Sequence, residues 1–401
     1  MSNNIYAALE IGTTRTVLAI GESQPDGRLR VICHASIPST GVRKSQIIDL
    51  VEAHNSILSV LRETEKRQLE GNSRVNIGNA FLVVSGTHVQ VSPLQGTAIV
   101  SNRRVTEADM NEAIRTAHSA RVNEKREVLD ILEQDWELDG RGSIPEPKGQ
   151  SGELLRLNAL LITGDADRIS DARSAADRAN LELRDPLFAA TCAAEAAIDD
   201  YERQNGVLVL DLGGGCTGYA FYLDGYLQTA GVIGVGGDHV TNDIAHAFHT
   251  GNQTAEALKI AEASAVVSSS DAGERVKLPG DSPLMDGRTV SRRALNTVVN
   301  ARMRELLTVL RERLDALDVL HRIRTGVVLT GGGAQLRGLD TLVSQTLGTD
   351  SVRKGNPINV DGLDETEHSE SLSAIAGALL FAHRNYNEKS FLDNLKGLFG
   401  K

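Results

Sequence analysis

The chain has few aromatic residues, few cysteines and no long apolar run. Only 3% of its 401 residues are aromatic and one is Trp, so it lacks the stacking platforms of single-stranded nucleic-acid binders. Its cysteines, Cys33, Cys192 and Cys216, share no short spacing, which excludes a disulfide framework and a zinc knuckle. No run of about 18 apolar residues is present, so no segment is expected to cross a bilayer.

A basic surface is lacking too, because 53 acidic residues outnumber 42 Lys and Arg and the net charge is −11. This balance argues against a nucleic-acid partner. The N-terminal segment has no basic region followed by an apolar one, so we expect no signal peptide and a cytoplasmic protein. The 41% hydrophobic content suffices for a globular core, and the length predicts at least two domains or two lobes.

Two distant segments share one pattern of residues. Residues 6–27 read as apolar strand, acid, aliphatic residue, Gly, two small residues, any residue, Thr, second strand and turn, and residues 207–225 repeat this order. The acids are Glu10 and Asp211. Each segment predicts a β-hairpin with a tight first turn. The matched pair predicts a duplicated fold with a ligand between its halves.

A third glycine cluster, at residues 331–333, follows an apolar strand-like run and precedes an apparent helix. A backbone without Cβ atoms lets amides approach phosphate oxygens, or lets a flat base lie against the chain. One such cluster is usually only a turn, whereas three together favour a nucleotide site. Residues 213–218 also match the dinucleotide fingerprint, but a strand is predicted where that fingerprint needs a helix.

These motifs in this order resemble the actin/sugar-kinase/heat-shock-chaperone ATPase superfamily and, more narrowly, the FtsA family of bacterial cell-division actin homologues. Further stretches carry the narrower resemblance, over nearly the whole chain. Residues 10–14 match the first phosphate loop, residues 211–217 the second, and residues 330–336 the adenosine loop. Residues 83–89 with 104–110 match the start of the FtsA subdomain, and residues 236–245 and 255–259 match two further family motifs.

The resemblance implies an α/β, actin-like two-lobed ATPase fold of duplicated ribonuclease-H-like halves, with an inserted FtsA-type subdomain and a C-terminal amphipathic helix. The implied parts are a first lobe (1–82, 162–185 and 368–383), an inserted subdomain (83–161), a second-lobe core (186–240 and 325–367), its helical subdomain (241–324), a tether (384–390) and an amphipathic membrane-targeting helix (391–401).

ATP and Mg are the ligands that the resemblance implies. Glu10 and Asp211 would hold magnesium through water, and Asp211 or Asp185 could orient a water molecule. Nucleotide contacts would come from Gly12, Thr13, Thr14, Arg15, Gly213, Gly214, Gly215, Cys216, Thr217, Gly236, Gly237, Glu256, Lys259, Gly331, Gly332, Gly333, Ala334 and Gln335. Glu10, Asp185 and Gly218 depart from the family's usual Asp, Glu and Asp, so we expect slow or absent hydrolysis.

Residues 291–320 carry apolar side chains at helical spacing, which predicts a long helix. The segment resembles the FtsA region that receives the C-terminal peptide of FtsZ, the tubulin homologue, and Arg302 and Glu305 match frequent family positions. An ordinary amphipathic helix with a solvated charged side accounts for the pattern equally well. The other implied partners are further copies of this chain in a head-to-tail filament, and divisome proteins on the inserted subdomain.

The last residues form a predicted amphipathic helix that either docks on the protein's own core or lies on a membrane surface. Its apolar side chains share an arc of about 120°; they are Phe391, Leu392, Leu395, Leu398 and Phe399. The polar tether and the family resemblance favour the cytoplasmic face of the cell membrane at the division site. A pilus-assembly actin homologue or a small-molecule kinase of the superfamily is the alternative, and neither requires such a tail.

Overall fold

The chain forms two lobes and an inserted subdomain, and the computed structural model describes residues 4–71, 75–119, 122–278, 288–358, 360–363 and 368–385. The amphipathic helix predicted for 391–401, and the tether from residue 386 onward, lie outside the described residues. Within the described ranges, no helix combines the length and the apolar character needed to cross a membrane.

The first lobe begins with three antiparallel strands and a long helix. Asp49 caps this helix, because its side chain accepts hydrogen bonds from the backbone N–H groups of Val51 and Glu52. In chain order the elements are β1 (Ile5–Ile11), β2 (Arg15–Ser23), β3 (Leu29–Pro38), β4 (Val42–Arg43), β5 (Gln46–Ile47), α1 (Leu50–Glu70) and β6 (Asn79–Val84).

The inserted subdomain is a four-stranded sheet covered by one helix. Its elements are β7 (Gln90–Ile99), α2 (Glu107–His118), β8 (Arg126–Leu138), β9 (Arg141–Ile144) and β10 (Leu154–Asp165). The strand order is β7-β10-β8-β9, and α2 packs on β7 and β10. Trp136 and Leu157 are buried in a core separate from those of the lobes. The chain then re-enters the first lobe through α3 (Ala166–Asp177) and β11 (Glu182–Phe188), and α4 (Ala189–Ala197) leads on to the second lobe.

The second lobe repeats the strand arrangement of the first. Its elements are α5 (Asp200–Asn205), β12 (Val207–Leu212), β13 (Thr217–Leu223), β14 (Tyr226–Ile233), α6 (Gly237–Phe248), α7 (Asn252–Glu262), β15 (Arg275–Lys277), β16 (Thr289–Ser291), α8 (Arg292–Ala316), β17 (Gly326–Thr330), α9 (Leu339–Leu347) and β18 (Val352–Lys354). Strand β19 (Val360–Asp361) and helix α10 (Ser373–Asn385) return to the first lobe.

Both lobes contain the same five-stranded sheet. The order is β3-β2-β1-β6-β11 in the first lobe, where β19 extends the edge, and β14-β13-β12-β17-β18 in the second. In each sheet the first three strands are antiparallel, and the last two run parallel to the first. The duplicated actin-like fold is therefore confirmed, and β13 excludes the dinucleotide fingerprint because a strand follows the glycines.

Several predicted domain boundaries fall inside strands, and the long predicted helix ends earlier than expected. The domain boundaries stay a prediction, although those at 82/83, 161/162 and 185/186 fall within β6, β10 and β11. Helix α8 ends at Ala316, four residues before the predicted Leu320. It ends there because Asp318 adopts a left-handed conformation (φ 55°), and the N–H of Val319 donates to the carbonyl of Leu314.

Helices α4 and α10 cross between the lobes at backbone contact. Helix α10 packs on β1, β2 and β6 of the first lobe, and α4 packs on β12 and β13 of the second. A Cβ atom at Gly377 of α10 would overlap the carbonyl group of Cys192 on α4. At the end of α10, His383 contacts the Ser23 hydroxyl (2.8 Å) and the Gly27 carbonyl (3.0 Å), at the end of the first sheet opposite the turn between β1 and β2.

Replacing Gly377 with Ala is expected to lower the free energy of unfolding by about 1–3 kcal/mol or more, because the obstructing atoms belong to backbone. Urea denaturation measures the change. Gly78→Ala is the matched control, since a Cβ there has no neighbour within 4 Å. Equal stabilities of the two variants would contradict the close crossing.

Candidate functional site

The two hairpins predicted from the repeat have the same tight turn. In the first phosphate turn the N–H of Gly12 donates to the carbonyl of Arg15, and in the second the N–H of Gly213 donates to the carbonyl of Cys216, both at 3.0 Å. A Cβ at Gly12 would lie 2.8 Å from the Arg15 oxygen, and one at Gly213 would lie 3.0 Å from the Cys216 oxygen. Glycine is needed at the same place in both turns for the same steric reason.

The start of α6 holds the second phosphate turn. The N–H groups of Gly237 and Asp238 donate to the carbonyls of Gly213 and Gly214, at 3.0 and 2.9 Å. A Cβ at Gly236 would lie 2.5 Å from both of these carbonyl oxygens. The family motif at residues 236–245 therefore has a structural role, which is to fix this turn in place.

The third glycine cluster packs directly on β12. Gly331 adopts a left-handed conformation (φ 77°), and a Cβ there would lie 2.7 Å from both the Leu212 carbonyl oxygen and Asp211 Oδ1. The residues after it form the single helical turn Gly332–Gln335, and the N–H of Gly331 donates to the Glu370 carbonyl (2.9 Å). This third loop therefore lies beside the carboxylate of the second phosphate turn.

A cavity of about 550 Å³ lies between the lobes, and all three glycine clusters line it. Every predicted nucleotide-contact and magnesium residue lines it except Ala334, which is buried within the third loop. Asp185 is not brought to the cavity. It lies in β11 at an irregularity in the pairing with β6, near enough to Arg173 to raise the pKa of that guanidinium, so its position does not support a water-orienting role.

Two carboxylates and one guanidinium face each other in this cavity. Burial, and then repulsion by Asp211, raises the pKa of Glu10 to about 7, although Arg15 opposes the shift. Burial raises the pKa of Asp211 to about 6. The Arg15 guanidinium makes no hydrogen bond or ion pair with any described residue. The site therefore has two oxygen-donor groups that need a cation and one cation that is available to an anion.

A second polar group in the cavity lies between α6 and α7. Lys259 Nζ is 2.7 Å from Glu256 Oε2 and donates to the Thr241 hydroxyl at 2.9 Å and to the Gly237 carbonyl at 3.2 Å. Thr241 donates to Glu256 in turn. Glu256 and Lys259 are thus already oriented towards the cavity by contacts among themselves.

Sequence analysis missed the apolar wall of the cavity and part of its polar lining. The wall comes from α7, α8 and the third loop; its residues are Ile260, Ala263, Met303, Leu306 and Leu336. The polar residues that were missed include Ser45, Ser85, Asp238, Arg337, Lys354 and His368. Met303 and Leu306 fit the apolar periodicity of α8, which signals burial without indicating that the buried face meets a ligand.

The predicted partner-binding residues lie away from the cavity. The Arg302 guanidinium is hydrogen-bonded to both carboxylate oxygens of Asp243 (2.6 and 3.0 Å) and to Glu305 (2.6 Å). Arg302 is 24% exposed and Glu305 is 56% exposed, so the acid presents more of its surface to solvent. The three residues link α6 to α8 and form a charged surface there.

Glu10 and Asp211 are the candidate metal ligands of the cavity. No group of three His, Cys, Asp or Glu side chains in those ranges is arranged to hold a metal ion. Magnesium is usually bound by one or two carboxylates, while water and phosphate oxygens fill its other coordination positions. Glu10 and Asp211 therefore fit that ion.

Comparison with protein families identifies both parts of the chain. The family model "Cell division protein FtsA" matches residues 208–377, and the model "SHS2 domain inserted in FTSA" matches residues 86–163. The FtsA of Escherichia coli (strain K12) is 31% identical over 391 residues, which cover 95% of this chain and 91% of that protein. The FtsA of Bacillus subtilis (strain 168) is 28% identical over 388 residues, covering 96% and 84%.

Solved structures share the fold at lower identity. The PilM–PilN type IV pilus biogenesis complex contains a chain with a TM-score of 0.65 and 18% identity, covering 94% of this chain and 98% of that one. MreB5 of Spiroplasma citri bound to ADP has a TM-score of 0.54 and 15% identity, covering 96% and 99%. These similarities confirm the two-lobed actin-like architecture.

The relatives cover nearly the whole length of the chain, and the inserted subdomain matches the model specific to this family. These findings favour the FtsA family over the alternative left open by the sequence, which was a pilus-assembly actin homologue or a small-molecule kinase. The chain belongs to the FtsA family of actin-like cell division proteins, which work at the bacterial division ring.

Proposed function

We propose that this division protein binds ATP with magnesium in the cleft between its lobes. The observation that supports this most strongly is that two identical glycine turns, one from each lobe, line one cavity together with the third glycine loop. Because each lobe contributes one turn, a ligand that contacts both turns is bound more tightly in the closed arrangement.

Each group of side chains has a separate role in this proposal. Glu10 and Asp211 hold magnesium, and the ion, when bound, offsets the phosphate charge. Arg15 and the amides of the phosphate turns bind phosphate oxygens, whereas Glu256 and Lys259 face the ribose. The apolar wall accepts the base. Since a Cβ at Gly218 would lie 2.9 Å from the Ala190 Cβ, an Asp does not fit there without rearrangement, which agrees with slow turnover.

The variants Glu10→Gln and Asp211→Asn are each expected to weaken magnesium-dependent ATP binding by about tenfold or more, because each removes one charged ligand of the ion. Calorimetry with ATP, in the presence of magnesium and of EDTA, measures the effect. Glu22→Gln is the control, because Glu22 lies on β2 outside the cavity. Failure of the wild-type chain to bind ATP or ADP would contradict the proposal itself.

We further propose that residues 391–401 anchor the protein to the cytoplasmic face of the cell membrane at the division site. The described chain ends with α10, whose last turn lies at the end of the first lobe opposite the cleft. Interfacial burial of five apolar side chains is partly offset by the entropy of ordering a short helix, so one tail binds weakly. A filament that presents many tails binds more tightly through effective concentration.

Replacing Phe391 and Phe399 together with Glu is expected to release the protein from vesicles of phosphatidylethanolamine and phosphatidylglycerol, since both charges fall on the apolar arc. Co-sedimentation measures the loss. The control is Ser390→Glu with Gly397→Glu, which adds the same charge outside the arc. If the Phe391/Phe399 variant still sediments with vesicles and binds ATP normally, the tail docks on the protein instead.

The Arg302–Glu305 surface is our proposed binding site for the C-terminal peptide of FtsZ. The contacts with Asp243 hold the Arg302 guanidinium in place on α8, while the Glu305 carboxylate is accessible. The surface therefore offers a peptide one accessible carboxylate, beside a guanidinium that two carboxylates hold in place. We also propose that a second copy of the chain binds head to tail, and that further division proteins bind the inserted subdomain, where Ile99 at the end of edge strand β7 is 80% exposed.

Charge reversal at this surface is expected to weaken binding of the synthetic FtsZ C-terminal peptide by roughly tenfold in the variants Arg302→Glu and Glu305→Arg. Fluorescence anisotropy measures the affinity. Arg304→Glu is the control, because position 304 lies about 160° around α8 from Arg302 and about 100° from Glu305. The Glu305 variant matters most, since Arg302 also links two helices. Unchanged affinity in both variants would exclude this surface.

A further inference from the structure

A short hairpin of the first lobe reaches across the cleft to the second phosphate turn. Strands β4 and β5 are joined by Lys44 and Ser45. A Cβ at Gly215 would lie 2.8 Å from Lys44 Cα and 3.1 Å from the backbone nitrogen of Ser45. The tip of this hairpin therefore touches the loop that the proposed function assigns to phosphate, and Ser45 lines the cavity.

The tip uses two residues that are unfavourable for its conformation. Lys44 and Ser45 have φ angles of 51° and 57°, in the left-handed region where two-residue hairpins usually take Asn-Gly. Gly at position 45 would adopt the same backbone without strain. The Ser45 side chain therefore destabilises the turn, and the contacts of its hydroxyl indicate what this side chain contributes.

Four side chains with O–H or S–H groups meet at this point; they are Thr13, Ser45, Ser85 and Cys216. The backbone N–H of Ser45 donates to the Thr13 hydroxyl at 2.8 Å. The Ser45 hydroxyl is 3.4 Å from each of the other three side-chain atoms. For the two oxygen pairs this is long, since ordinary O–H···O bonds measure about 2.7–2.8 Å.

Within the described part of the chain, each hydrogen of this hydroxyl cluster has only a neighbouring hydroxyl or thiol as its acceptor, and the three contacts of the Ser45 hydroxyl are all 3.4 Å. Among the described residues, none of its four side chains donates to a carbonyl or a carboxylate. Burial raises the pKa of the Cys216 thiol to about 11, so Cys216 also keeps its hydrogen. Donors without a strong acceptor, in a cavity lined by two glycine turns, match the oxygens of a phosphate group.

The cluster lies at the phosphate end of the cavity. Thr13 belongs to the first phosphate turn and Cys216 to the second, whereas the apolar wall comes from α7, α8 and the third loop. A nucleotide whose base occupies that wall extends its phosphates past the second turn towards the hydroxyls. The phosphate furthest from the base is therefore the group that meets them.

We infer that the hydroxyl cluster is a subsite for the terminal phosphate of a nucleoside triphosphate, and that Ser45 distinguishes the triphosphate from the diphosphate. This inference rests on the proposed function, because it assumes that the cleft binds a nucleotide. Ser45 lies on the first lobe and contacts Cys216 of the second lobe. A terminal phosphate bound by this cluster would therefore strengthen the contact between the two lobes.

The test compares Ser45→Gly with the wild-type chain for binding of MgATP and MgADP by calorimetry. The variant removes the hydroxyl and suits the left-handed backbone, so the fold is not at risk. Its affinity for MgATP is expected to fall about tenfold, while that for MgADP stays within about twofold. Ser85→Ala, at a position with ordinary φ, is expected to reduce MgATP affinity in the same selective way.

Ser143→Gly is the matched control, because Ser143 has the same φ of 57° but lies in the inserted subdomain outside the cavity. It is expected to bind both nucleotides as the wild type does. A Ser45 variant that loses both affinities equally, or neither, overturns the inference and leaves Ser45 as a contact between the lobes.

Two further arms complete the test. Inorganic phosphate added with MgADP is expected to tighten ADP binding to the wild-type chain and not to Ser45→Gly, because it can take the place of the terminal phosphate. Equal tightening in both chains would place free phosphate elsewhere and overturn the inference. A wild-type chain that binds neither nucleotide would refute the proposed function together with this inference. Nucleotide binding that Ser45→Gly does not alter would refute the inference alone.

Discussion

The contact between α4 and α10 is the constraint on which the two-lobed arrangement depends. The two helices approach to backbone distance because Gly377 has no side chain and α4 consists largely of alanine. One helix packs on the first sheet and the other on the second. Their close crossing fixes where β1 and β12 end, and the phosphate turns follow those two strands directly. A bulkier residue at the crossing would move the turns apart as well as weaken the core.

Much of this arrangement could be predicted because it repeats in the sequence. The order of acid, glycine, small residues and threonine occurs in both halves, and the structure gives both segments the same turn and the same strand order. The third loop was also predictable, since three consecutive glycines after an apolar strand seldom occur without a close approach of backbone to backbone or to a ligand. The sequence alone was sufficient to predict those features that are formed by residues close together in the chain.

The remainder of the site depends on residues that are distant in sequence. Ser45 and Ser85 belong to segments with no glycine cluster, and only the sheet order brings them to Cys216. Asp185 was favoured by its position next to a proline, yet the irregular pairing of β11 leaves it outside the cavity. The wall residues Met303 and Leu306 have the pattern of any buried helix face, so periodicity could not separate a ligand pocket from a core.

The position at which α10 ends has a consequence for ligand exchange. His383 holds the last turn of this helix against the turn between β2 and β3, and the cleft opens at the opposite end of the same sheet. If the proposed tail attaches the chain to a surface, the point of attachment lies at the end of the first sheet that is opposite the phosphate turns. A ligand could then exchange with bulk solvent at the cleft while the molecule stays attached.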